Sequence, residues 1–101
     1  MAFDMYFRKE RACIDHHEEG LFNVINEDDS YPKLNWIWQE YYDSPLIQPN
    51  DANDLVHELL ALRSQVTKKE ELKYLTSVID RLLPFFSRAY KKNEQIKCGS
   101  D

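Results

Sequence analysis

The chain has 101 residues, 18 acidic and 13 basic, for a net charge of −5, with 43% hydrophobic and 13% aromatic residues. That length builds one domain, residues 1–101, with a core that needs no metal or disulfide, and the composition excludes a disordered chain. With two glycines and four prolines, it is poor in the turn formers that an all-β fold of many tight turns requires.

The charge is unevenly divided. Residues 1–60 hold 13 acids and 4 bases, whereas residues 61–101 hold 5 acids and 9 bases. Between Asp15 and Glu58 eleven acids meet one base, Lys33. Such a split speaks of partners and not of fold. It argues against nucleic-acid binding through a general basic surface, which needs clustered Lys and Arg, though it leaves room for a smaller basic patch on the last helix. No leader is read in Met1–Phe7, where an acid interrupts the apolar run, and no stretch approaches the roughly 20 apolar residues of a membrane span. A cytoplasmic protein is expected. Cys13 and Cys98 are then expected as free thiols, although sequence leaves their pairing open.

In chain order, residues 2–8 read as a short strand or a first helical turn, and the aromatics favour the strand. Arg8–Arg11 reads as a solvated charge run. Leu21, Phe22, Val24 and Ile25 fit one face of a helix over 15–25, weakened by Gly20, and residues 26–30 read as a loop. Pro32 can open the next helix, with Leu34, Ile37, Trp38 and Tyr41 on its inner face. At 100° per residue Trp36 falls about 200° from Leu34, on the outer side with Asn35, Gln39, Glu40 and Asp43. Ser44-Pro45 ends that helix, and Pro49 extends the connector. Asn50 or Asp51 caps a helix striped by Leu55, Leu59, Leu62 and Val66 and widened by Val56 and Leu60. Thr67 with Glu70 matches a capping box for the last helix. Its face is Leu72, Leu75, Ile79, Leu82, Phe86 and Ala89, with Val78, Leu83 and Tyr90 beside it, and Pro84 kinks it without ending it. Residues 95–98 can form a terminal strand paired with residues 3–7. The expected class is mainly α, a compact domain of about four helices with a short two-stranded element from the two termini.

No pattern for catalysis emerges, and no cofactor or metal is expected. His16 and His17 are adjacent and diverge by about 100° on a helix, so they chelate poorly together. Acids around Cys13 raise a thiol pKa and work against a Cys/His nucleophile. Glu27-Asp28-Asp29 lacks the spacing of a calcium loop. What remains is an outward tryptophan among acids, the composition of an interface anchor with a steering rim. The candidate partner-binding residues are Trp36, Glu27, Asp28, Asp29, Glu40, Asp43 and Tyr42.

The layout resembles the small bacterial immunity proteins of polymorphic toxin systems, those of contact-dependent inhibition or type VI secretion. The resemblance rests on the opening Met1-Ala2-Phe3-Asp4-Met5-Tyr6-Phe7 and on the run from Leu82 to Tyr90, followed by a polar turn and Ile96-Lys97-Cys98. It implies a cytosolic, non-enzymatic inhibitor that occludes the active site or an essential surface of a cognate toxin domain. A basic toxin domain suits the acidic face. Neither a membrane nor direct nucleic-acid contact is expected, and a homodimer is allowed. The alternative is a phage-encoded acidic inhibitor of the anti-restriction or anti-CRISPR type, acting on a nucleic-acid-binding effector.

Overall fold

The computed structural model describes residues 3–100. Its first strand, β1 (Phe3–Phe7), alternates as a half-buried strand must. Phe3, Met5 and Phe7 enter the core, while Asp4 and Tyr6 face out. Two residues, Arg8 and Lys9, turn the chain into β2 (Glu10–Ile14) with Phe7 opposite Glu10. The turn is closed by Arg8 at φ 52°, a left-handed conformation that arginine adopts only at a cost. The charge run of residues 8–11 is therefore a hairpin turn and the start of a strand, not simply a solvated stretch.

A 3-10 turn (His16–Glu18) and the short α1 (Gly20–Ile25) follow, in place of one helix over 15–25. Next come α2 (Pro32–Gln39), the two-residue β3 (Leu46–Ile47) and α3 (Pro49–Val66). Pro49 is the first residue of α3, so Gln48 is its N-cap, and Asp51 Oδ2 accepts the Gln48 N–H at 3.1 Å. Thr67 lies at the other end from the one expected. It is the C-cap of α3, and the last helix, α4 (Leu75–Lys91), starts only after a 3-10 turn at Glu70–Leu72. α4 continues through Pro84, as its unbroken apolar periodicity implies. It closes with Asn93 at φ 56°, where the Glu94 and Asn93 N–H groups return to Ala89 and Tyr90 in a Schellman motif. The last element is β4 (Ile96–Ser100).

The strands form one antiparallel sheet in the order β2-β1-β4-β3. The expected pairing of the two termini is present, with Tyr6 opposite Lys97 and Met5 opposite Cys98; Ala2, the first residue of the expected strand, lies outside the described residues. The expected class is overturned: the domain is α+β, four helices against a four-stranded antiparallel sheet. β2 was hidden by its charges, and β3 is too short to show a period.

One apolar cluster joins every layer. It includes Phe3 and Met5 from β1, Ile37 from α2, Leu55 and Leu59 from α3, Ile79 and Phe86 from α4, and Ile96 from β4. Of the expected α3 stripe Leu55, Leu59, Leu62 and Val66 are buried, whereas Leu60 is exposed. Cys13 and Cys98 are free. They occupy strands on either side of β1 and opposite faces of the sheet, since Cys13 pairs with Asp4 and Cys98 with Met5. Two strand spacings of about 4.8 Å exceed the Cα separation a disulfide spans. No helix among the described residues is long and apolar enough to cross a membrane.

Candidate functional site

The candidate residues gather at the two ends of α2. Glu27, Asp28 and Asp29 lie on the exposed loop before it. Asn35, one turn into the helix, organises that loop. Its Nδ2 donates to the carbonyls of Ile25, Asp28 and Tyr31 at 3.0–3.2 Å, and its Oδ1 accepts the Glu27 N–H at 3.2 Å. Glu27 is held at φ 60° in this turn. Glu40, Tyr42 and Asp43 sit just beyond the other end, roughly 12 Å along an eight-residue helix. Glu40 is the half-buried C-cap, Asp43 is exposed, and Tyr42 is 66% exposed with its ring 5.1 Å from that of Tyr41.

α2 is fixed by an acid from another helix. Its N-cap, Tyr31, makes no side-chain cap. Instead Glu58 of α3 reaches across, and its Oε2 and Oε1 accept the N–H groups of Lys33 and Leu34 at 3.0 and 2.9 Å. Burial pushes the Glu58 carboxyl up, the two backbone donors pull it down, and the balance lies above the ordinary value. Lys33 bridges the same two helices by binding Asp51 at 2.7 Å, and its ammonium stands 5.9 Å from the Trp36 ring.

The two tryptophans do not divide into one surface and one core residue. Trp36 and Trp38 are both half-buried against the core. Trp38 stacks on Phe22 at 4.8 Å and meets Tyr41 edge-on at 5.3 Å. With Asn26, Glu27, Asp28, Asp29, Asn35 and Gln39 it also lines a concavity of about 550 Å³. Trp36 does not line it. The aromatic beside the acidic loop is thus Trp38, which sequence reasoning assigned to the core. The signal for this was Asn35, a polar residue set to clamp a polar loop onto its own side of α2.

Among the described residues no cation lies within ion-pair distance of Glu27, Asp28, Asp29, Glu40 or Asp43. Acids elsewhere are compensated. Glu94 pairs with Arg8, Asp4 with Arg11, Asp80 with Arg63, and Glu10 with Arg88 and Lys92. Among the described residues Asp15, Asp54, Glu58 and Glu71 also lack ion pairs, but they are dispersed over other elements and Glu58 is satisfied by backbone N–H groups.

The remaining chemistry-bearing groups are tied into the structure. Glu18 is buried and forked by Arg81 at 2.5 and 2.9 Å, while the second Arg81 nitrogen also donates to the Cys13 carbonyl at 3.0 Å. Burial raises Glu18, but Arg81 and the Asp15 N–H outweigh it and leave the carboxyl below the ordinary value. Asp15, His17 and Glu18 bring three metal-ligating atoms within 4.8 Å, a trio not foreseen from the His16-His17 pair. Arg81 already compensates Glu18 there and opposes an added cation. Burial first, and Asp15 second, push the Cys13 thiol up. Burial alone pushes Cys98 to about 12. Neither is an activated thiolate.

No family model matches the chain, and no curated protein or solved structure matches it.

Proposed function

We propose that this protein is a cytoplasmic, non-enzymatic inhibitor that binds a basic protein domain through the surface along α2, as the resemblance to bacterial immunity proteins implies. The observation that supports this reading is the grouping of uncompensated carboxylates at both ends of one rigid helix, with the half-buried rings of Trp38 and Trp36 between them. Among the described residues most other charges are engaged in ion pairs, whereas these five carboxylates have none and can meet an external cation. Such a rim accelerates encounter with a basic partner, and the Trp38 ring beside the acidic loop slows its departure. The partner that fits is a toxin domain with a basic cleft. Three of the carboxylates are consecutive on one loop and the others follow α2. They are not stepped along an element like phosphates, which favours this reading over mimicry of nucleic acid.

The test is capture from the native cell by the tagged chain, with a variant neutralised at Glu27, Asp28, Asp29, Glu40 and Asp43 as the control. The expected result is a basic polypeptide retained by the native chain alone and released by salt. Its expression alone should arrest growth, and co-expression of the native chain should restore it. A captured polypeptide that binds both forms equally, or whose toxicity is unaffected, contradicts the proposal.

A further inference from the structure

The sheet buries one face against the helices and leaves the other open. Register places a complete row on the open face: Arg11 of β2, Tyr6 of β1, Lys97 of β4 and Leu46 of β3. Tyr6 is 44% exposed and Leu46 48%. Beside Tyr6 and Lys97 opens a concavity of about 460 Å³. Tyr6 and Lys97 line it together with Phe7 and Arg8 and with the turn after α4, which supplies Asn93, Glu94 and Gln95. The size falls within the range of small-molecule sites.

Four polar groups around this concavity have no partner among the described residues. Among the described residues nothing pairs with the Lys97 ammonium, and nothing bonds the Tyr6 hydroxyl or the Asn93 and Gln95 amides. The acids nearby are already neutralised, Glu94 by Arg8 and Asp4 by Arg11. The local balance is therefore positive in a chain whose net charge is −5. An anion is the occupant that such a balance selects, and the exposed Tyr6 ring selects an anion carrying a planar π-system. Primary amides then read donors and acceptors on its edge.

We propose that this concavity binds a nucleoside phosphate, with the base stacked on Tyr6, its edge toward Asn93 and Gln95, and the phosphate on Lys97. A carboxylate-rich peptide would satisfy Lys97 but would leave the ring and the amides unused. The acidic net charge disfavours a surface that wraps nucleic acid, and the site asks for only one nucleotide unit. That unit can be a free nucleotide or one residue of a single strand.

The test follows the backbone amides of residues 6–8 and 93–97 by NMR during titration with adenosine and uridine monophosphates, a short oligouridylate, ribose 5-phosphate and polyglutamate. Saturable shifts confined to these residues are expected with nucleotides. Tyr6→Ala and Lys97→Glu, both on the solvent face, are each expected to weaken binding by about tenfold. An oligonucleotide that binds tenfold tighter than the monomer assigns the site to a strand, and equal affinity assigns it to the free nucleotide. No shift at millimolar nucleotide would overturn the proposal. So would ribose 5-phosphate or polyglutamate binding as tightly as a nucleotide, or a Tyr6→Ala variant with unchanged affinity.

Discussion

Glu18 and Glu58 are both buried acids that tie one element to another, yet they titrate in opposite senses. Glu58 meets neutral backbone donors and keeps a raised pKa, whereas Glu18 meets a guanidinium and falls below the ordinary 4.5. A raised folded value means that the folded chain holds the proton more tightly. The proton-linked part of the Glu58 contribution to stability is then full below its unfolded value near 4.5 and is lost as pH rises through the folded value, while the hydrogen bonds from the Lys33 and Leu34 N–H groups remain. For Glu18 the contribution is present above 4.5 and is lost as pH falls through the lowered folded value. Glu58→Ala orphans the Lys33 and Leu34 N–H groups and should cost about 2 kcal/mol in urea unfolding at neutral pH. Arg81→Met leaves Glu18 buried without its cation. It should cost about 2 kcal/mol, a figure reduced because Arg81 itself is partly solvated. It should also move the Glu18 titration from below the ordinary value to above it, as read by carboxyl NMR. A Glu18 titration left below that value would show that Arg81 is not what holds it down.

At the scale of elements, α4 carries a testable cost. Pro84 removes the backbone donor that would meet the Asp80 carbonyl, and its side chain is exposed. Pro84→Ala should therefore raise stability by about 1 kcal/mol, the restored bond outweighing the looser unfolded chain. A lower urea midpoint would indicate that the helix has adapted its packing to the proline. The long helices and the pairing of the terminal strands were legible in the sequence because their apolar residues repeat over many positions. β2 was not, because its one fully buried apolar side chain is Ile14 and its outward face reads as charge. The Thr67–Glu70 spacing matched a helix start, but α3 is still completing its last turn there, so the threonine closes one helix instead of opening the next. The acids of the candidate surface were legible as a composition. Their division between the two ends of α2, and the placement of Trp38 beside the acidic loop, depended on Asn35 folding that loop back, a contact with no periodic signature.

The whole molecule is polarised. The basic half of the sequence does not form a uniform basic side, because Arg63, Arg81, Arg88 and Lys92 are spent on acids of other elements. Among the described residues the acids at the two ends of α2 have no ion pair, and Lys97 has none on the open sheet face, while Lys9, Lys68, Lys69 and Lys91 are unpaired on other parts of the surface. Binding through the α2 surface should therefore weaken steeply as salt rises, with most of the change in the association rate. The most direct measurement is the association rate of the captured partner with the native chain and with the variant neutralised at Glu27, Asp28, Asp29, Glu40 and Asp43, both at low ionic strength. The variant should keep its helical circular dichroism and associate at least about tenfold more slowly. An unchanged rate in a folded variant would contradict the acidic surface along α2 as the site of binding.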